Sequence, residues 1–279
     1  MPTLTSADGT LLAYHVTGTG EPLLVLPGGP MRDSAYLGDL GGLSAFRTLY
    51  RLDLRGTGDS GIPTDPETYR ADRQVADVEA LREHLGLDRI DLLAHSAGGD
   101  LALLYAARHP DRISRLLLIT PAMFTLGIPF AAEQRQEGVA LRAGEPWYPD
   151  AVAAFGNIAA GNPTDDDWQG IIPFTYGRWD AAAQAHAAAG AGQRHPEAAE
   201  RYYAVEAADP AGIRSAIATL DAPVLILAGD LDTGPRPETA GEGAALFPKG
   251  VSVVQPGAAH YPWLDDAETF TRLVAGFLR

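Results

Sequence analysis

Residues 92–99, Leu92-Leu93-Ala94-His95-Ser96-Ala97-Gly98-Gly99, close an apolar run and open a helical pattern that continues through residue 108. A serine on so sharp a strand-to-helix turn projects its hydroxyl above a sheet, and the residues two before and two after it must be small for strand and helix to approach. Ala94 and Gly98 fill those places, which makes Ser96 the candidate nucleophile. A serine hydroxyl is a weak nucleophile at neutral pH, so it needs a base in hydrogen-bond reach and a third group to orient that base. With a nucleophile on such a turn, the partners follow in the chain order serine, acid, histidine. His15 and His84 come too early, and His95 adjoins the serine with its side chain directed elsewhere along the turn. His109, His186 and His195 precede the last two apolar runs, leaving His260, in the loop 255–263, as the candidate base. The segment Gly229-Asp230-Leu231-Asp232 offers two carboxylates. Asp232 is favoured because it lies where the loop can bend toward the histidine, whereas Asp230 suits a structural turn contact. An oxyanion also needs preset backbone N–H donors. Ala97 supplies one; Gly29 of Pro27-Gly28-Gly29-Pro30 supplies the other, since Pro30 has no N–H to give.

Positioning these groups requires a sheet. Asp8-Gly9 between apolar segments predicts a hairpin with a tight primed turn. Short apolar runs at 23–26, 48–52, 90–94, 115–119, 224–228 and 251–254 suit strands buried on both faces of a parallel sheet. Val75, Val78, Leu81 and Leu85 recur near the helical period and end at Gly86, a helix C-cap glycine. Alternating strands and helices predict an α/β chain with a mostly parallel central sheet flanked by helices. Residues 122–220 break the rhythm with clustered Pro and Gly and Ala-rich helical stretches. The expected organisation is a core of residues 1–121 and 221–279 with a helical cap, residues 122–220, inserted after the sixth strand. The cap is rich in aromatics, and Trp147, Trp168 and Trp179 are candidates to line a substrate pocket, the alternative being that they form the insertion's own small core.

Taken together, Gly28-Gly29-Pro30, the run Asp53-Leu54-Arg55-Gly56-Thr57-Gly58-Asp59-Ser60, the Ser96 turn, residues 229–232 and Gly257-Ala258-Ala259-His260 resemble the α/β-hydrolase superfamily. Within it they resemble the proline iminopeptidase-related group. Pro27, Met31, Leu54 and Ala97 stand where true iminopeptidases carry histidine, glycine, glutamine and tryptophan. The resemblance covers nearly the whole chain and implies the α/β-hydrolase fold with a Ser-His-Asp triad.

Composition narrows the partners. A formal charge of −15 over 279 residues would repel a phosphate backbone, so no nucleic acid is expected. No run approaches the ~18 apolar residues of a membrane span, and the start lacks a basic segment followed by an apolar one, so a cytoplasmic protein without a membrane partner is expected. The absence of cysteine excludes thiolate nucleophiles and sulfur-ligated metals. There is no H-E-x-x-H and no metal is expected. Gly56-Thr57-Gly58-Asp59-Ser60-Gly61 formally matches a dinucleotide fingerprint, but Pro63 and Pro66 follow where a phosphate-binding helix would start. Asp53 and Arg55 are expected to brace that loop instead, and no cofactor is expected. The reaction these residues suit is acyl transfer to water from an ester, lactone or activated amide of a small, partly apolar molecule. Three alternatives stay open: an iminopeptidase-type aminopeptidase, with Glu133, Glu137 or Glu206 holding the substrate's amino group; a cyclase or acyltransferase using the same triad; and a ligand receptor that keeps the fold.

Overall fold

A computed structural model describes residues 1–204 and 209–279. Eight strands form one sheet: β1 (Thr3–Thr5), β2 (Leu11–Thr17), β3 (Pro22–Leu26), β4 (Thr48–Leu52), β5 (Ile90–His95), β6 (Ile113–Ile119), β7 (Val224–Gly229) and β8 (Gly250–Gln255). Their spatial order is β1-β2-β4-β3-β5-β6-β7-β8. β1 pairs with β2 and β2 with β4 in antiparallel sense; every later pairing is parallel.

Each central strand sends alternate side chains into two cores, as a pleat with helices on both faces requires. Leu92 and Ala94 of β5 pack with Val75, Val78 and Leu81 of α1 (Ala71–His84) and Leu101 of α2 (Gly98–Arg108). Leu93, between them, joins Leu117, Leu227, Phe270 and Val274 on the opposite face. All six residues of β5 and of β7 are buried. The run at β8 departs from the expectation of two-sided burial, for β8 is the sheet edge and Val251 and Val254 are exposed. The first hairpin also differs. On Asp8-Gly9 a type I′ turn needs positive φ at both residues and a type II′ turn at Asp8, yet only Gly9 has it, at +86°, and the turn is closed from Ser6 to Thr10.

Between β6 and β7 the described residues contain helices and turns but no strand: α3 (Ala132–Ala140), α4 (Tyr148–Ala159), α5 (Asp165–Gly170), α6 (Ala181–Ala189), α7 (Pro196–Tyr202) and α8 (Pro210–Ile217). After β7 come α9 (Pro237–Ala244), α10 (Pro262–Asp265) and α11 (Ala267–Phe277). No helix among the described residues is long and apolar enough to cross a membrane.

The glycine-rich loop after β4 turns back on itself, with Gly56 N–H donating to Gly61 O at 2.9 Å and no helix starting there. Buried Asp53 accepts Ser34 N–H and Asp59 N–H at 3.0 Å each, and Arg55 grips Asp77 with two donors at 2.6 and 2.8 Å. A Cβ on Gly58 would lie 2.3 Å from Asp53 Oδ2. The loop is thus braced by its charged residues, as expected.

α1 and α2 are clamped where Glu79 meets Arg82 at 2.6 and 2.9 Å and Tyr105 Oη at 2.7 Å. The Arg82 hydrogen bonds, opposed by burial and helped by Tyr105, hold the Glu79 carboxyl down at about 2 instead of its ordinary 4.5. A carboxyl depressed in the folded state stabilises it above the unfolded value and ceases to do so as pH falls through the folded one. Thermal melts should therefore lose stability between pH ~4.5 and ~2, and Glu79→Gln should flatten that limb. An unchanged acid limb in the variant would show that the clamp does not contribute.

Candidate active site

Ser96 sits between β5 and α2 with φ at +53°, a left-handed conformation that costs a non-glycine residue about 1–3 kcal/mol and persists only when its surroundings enforce it. The surroundings do. A Cβ on Gly98 would lie 2.5 Å from Pro27 O, one on Gly28 2.7 Å from Ser96 Cβ, and one on Gly99 2.7 Å from Pro121 Cβ. Strand, turn and neighbouring loops are packed to backbone contact, so the small residues are required.

The hydroxyl of Ser96 lies 2.9 Å from His260 Nε2, and His260 Nδ1 lies 2.9 Å from Asp232 Oδ2. In the tautomer that satisfies both contacts, Ser96 Oγ donates to Nε2 and Nδ1–H donates to the carboxylate. Asp232 is buried, and its other oxygen accepts Gly234 N–H at 3.0 Å. Asp230 does something different: its carboxylate accepts Gly257 N–H at 2.7 Å, tying the loop after β7 to the loop that carries His260. A Cβ on Gly229 would lie 2.3 Å from Ala258 O, so those two loops also cross at backbone contact. Of the two acidic candidates, Asp232 is the one brought to the histidine.

The loop carrying Gly28 and Gly29 lies against the Ser96 turn, a Cβ on Gly28 lying 3.1 Å from Ala97 N. The Gly28 carbonyl accepts Arg32 N–H at 3.1 Å, and the Ser96 carbonyl accepts Gly99 N–H at 2.8 Å and Ala122 N–H at 2.9 Å. In a trans peptide the N–H points away from its carbonyl, so these bonds leave the Gly29 and Ala97 amides directed the other way. Among the described residues neither amide donates to a protein group. Gly29 has φ at +120°, and its Cβ would lie 2.7 Å from Arg32 Cβ, so glycine is needed there.

The helical segment between β6 and β7 touches this centre at several points. Thr175 O accepts His260 N–H at 3.0 Å, Tyr202 Oη donates to Ala97 O at 2.9 Å, and Arg194 donates to Gly29 O. An isolated bridge pairs Arg32 with Arg194. The three tryptophans are placed differently from one another. Trp147 packs edge-on to Phe174 in a small cluster with Val139 and Ala151, the insertion's own core. Trp168 is half exposed, and no ring contact among the described residues ties it to the site. Trp179 leans on Tyr176, whose ring packs against Tyr261 beside His260. Trp147 is partly buried, and its ring contact is with Phe174 in the insertion's own cluster. Glu133 and Glu137 are exposed on α3, and Glu206 lies outside the described residues.

Sequence reasoning gave His95 no role and missed Tyr36. Both are buried against the site: Tyr36 Oη lies 2.7 Å from His95 Nδ1, and His95 Nε2 lies 2.9 Å from the His260 carbonyl. Burial, with the neighbouring His260 second, pushes His95 well below its ordinary value, so it is neutral. Adjacency of His95 to Ser96 on a buried strand was the available signal; Tyr36, in a loop after β3, had none. One His/Asp group could suggest a metal, since His15 Nε2 is 2.9 Å from Asp53 Oδ2 and 3.8 Å from Asp59 Oδ2. Asp53 already accepts the two loop amides described above, so this trio belongs to the loop brace.

A family model described as alpha/beta hydrolase fold matches residues 21–267. A (lyso)-N-acylphosphatidylethanolamine lipase of Mus musculus is 35% identical over 153 residues, 48% of this chain and 44% of that protein. A proline iminopeptidase of Lactobacillus helveticus is 42% identical over 112 residues, 38% of each. The chain thus spans less than half the length of these curated relatives. Among solved structures, an enol-lactonase from Burkholderia xenovorans LB400 superposes with a TM-score of 0.71 at 25% identity, covering 99% of both chains. A thermophilic esterase from Thermogutta terrifontis gives 0.73 at 23% identity, over 100% of this chain and 97% of that one.

Gly98→Ala tests the packing beneath Ser96. The added methyl meets a backbone oxygen that cannot rotate away, so the variant should melt earlier and react far more slowly with a fluorophosphonate probe. Wild-type melting and labelling would show that the turn tolerates a wider spacing.

Proposed function

Because the chain belongs to the α/β-hydrolase family, with a matched region from residue 21 to 267, we propose that it is a serine hydrolase acting through Ser96, His260 and Asp232. The observation that carries this reading is the unbroken pair of 2.9 Å contacts from Ser96 Oγ through the imidazole to the buried carboxylate. In the proposed reaction, Ser96 Oγ attacks a carbonyl carbon while His260 Nε2 takes its proton, and the imidazolium that forms is stabilised by Asp232. The carbonyl oxygen becomes an oxyanion held by the Gly29 and Ala97 amides, whose fixed orientation means no reorganisation is needed as charge develops. The tetrahedral species collapses as His260 returns the proton to the leaving group. Water then attacks the acyl-enzyme by the same route and releases the acid.

The substrate class proposed is an ester, a lactone or an activated amide of a small molecule. The esterase and enol-lactonase neighbours span nearly the whole chain, which supports oxygen-ester chemistry. The iminopeptidase alternative needs a carboxylate to receive the substrate's amino group; of its candidates Glu133 and Glu137 are exposed on α3, and Glu206 lies outside the described residues. Residues 122–220 are proposed to act as a cap over Ser96, on the strength of the contacts made by Thr175, Arg194 and Tyr202.

A panel of p-nitrophenyl esters, simple lactones and proline p-nitroanilide tests the class; the esters or lactones should be hydrolysed and the anilide should not. Turnover of the anilide alone would transfer the assignment to the peptidase. On the best substrate, Ser96→Ala should lower kcat by at least about 10³-fold. Asp232→Asn should lower it on the order of 10⁴-fold, as loss of the orienting carboxylate does in such triads. Asp230→Asn should cost far less, since it ties loops together; the reverse ranking would move the acid's role to Asp230.

A further inference from the structure

We infer that Tyr36 and His95 form a positioning relay that holds the oxyanion loop and the base-bearing loop in register, an inference that rests on the proposed roles of Gly29, Ser96 and His260. The relay is a directed chain of hydrogen bonds. Gly28 N–H donates to Tyr36 Oη at 2.7 Å, so the tyrosine proton is left to be donated to His95 Nδ1, also at 2.7 Å. With Nδ1 as acceptor, neutral His95 carries its proton on Nε2 and donates it to the His260 carbonyl at 2.9 Å. One tautomer satisfies every link, and no link works with the direction reversed, because a backbone N–H stands at one end and a carbonyl at the other.

Both side chains are almost wholly buried, with 4% of Tyr36 and 1% of His95 exposed, so water does not compete for these bonds. The rings are held from several sides. Tyr36 packs against His186, Tyr261 and Trp263 with the Arg32 guanidinium 4.3 Å from its centroid, and His95 packs against His260, Tyr261 and Trp263. The ends of the chain matter most. Gly28 immediately precedes the proposed donor Gly29, and the carbonyl at the other end belongs to His260 itself, where Thr120 Oγ1 adds a second bond at 3.0 Å. The relay therefore connects the group proposed to bind the oxyanion with the group proposed to move the proton, and neither Tyr36 nor His95 needs to touch substrate.

Breaking any link strands buried donors and acceptors, which relax by shifting the loops that carry them. Displacements well under 1 Å at Gly29 or His260 fall on the transition state, where alignment counts, and leave ground-state binding nearly untouched. The test compares Tyr36→Phe, His95→Leu, His95→Gln and the double variant Tyr36→Phe/His95→Leu, with kcat normalised to Ser96 sites titrated by fluorophosphonate. Tyr36→Phe and His95→Leu should each lower kcat about 10- to 100-fold with KM within about twofold. The double variant should be no worse than the poorer single one, because both break the same chain. His95→Gln, whose amide can accept and donate, should recover most of the rate. Binding of a boronic-acid mimic of the tetrahedral species should weaken in step with kcat, a change that general loosening of the fold would not produce selectively. Unchanged kcat in the folded single variants, multiplicative losses, or losses confined to KM would overturn the relay alone. Wild-type protein that does not react at Ser96 would overturn the hydrolase reading and the relay with it.

Discussion

The site depends on one steric constraint, the crossing of the Ser96 turn beneath the loop that follows β3. Pro27 O and the Cβ that Gly98 lacks would compete for the same space, as would Ser96 Cβ and the Cβ that Gly28 lacks. Because backbone meets backbone there, Ser96 has no slack in which to relax from its positive φ. Its hydroxyl is consequently held on the side where the loops after β3, β7 and β8 converge. The strain is local, but the restraint comes from the six buried residues of β5 and the helix behind it.

Around that fixed point the structure ties separate loops in pairs. Asp230 joins the β7 loop to the β8 loop, the bare backbone of Gly229 lets them cross, and Asp265 accepts the N–H groups of Ala259 and Gly177, both at 2.8 Å. Tyr36 and His95 join the β3 loop to the β8 loop. Arg194, Tyr202 and Thr175 carry the helical segment onto the β3 loop, the Ser96 turn and the β8 loop respectively. Hydrolase chemistry at a serine asks for four elements to agree to within a few tenths of an ångström, and a set of buried cross-links between loops is a direct way to meet that demand.

What could be read in the sequence follows from how local each signal is. Ser96 was legible because small residues at 94 and 98 between an apolar run and a helical pattern are a local steric demand. His260 followed by chain order, and Asp232 by the reach of a loop after β7. At the glycine loop 56–61, Asp53 and Arg55 were legible as braces because charged residues flanking a run of glycines must find partners near by. Edge status of β8 was not legible, since Val251 and Val254 have the composition of a buried strand and only sheet order exposes them. Trp147 was ambiguous for a related reason: an aromatic in a helical insertion can face a pocket or a neighbour, and its packing against Phe174 forms only in the folded chain. Tyr36 carries no sequence mark at all, because its hydroxyl meets Gly28 eight residues away and His95 in another strand only in the folded chain.

The central claim is that Ser96 becomes covalently acylated during turnover, and intact-mass measurement of the trapped species tests it most directly. Protein quenched in acid during hydrolysis of a slowly deacylating p-nitrophenyl ester should gain the mass of one acyl group, located on the peptide containing Ser96. The adduct should be absent from Ser96→Ala and should accumulate in step with a burst of p-nitrophenol. Hydrolysis that proceeds at the same rate in Ser96→Ala, or an acyl group found on another residue, would contradict the account.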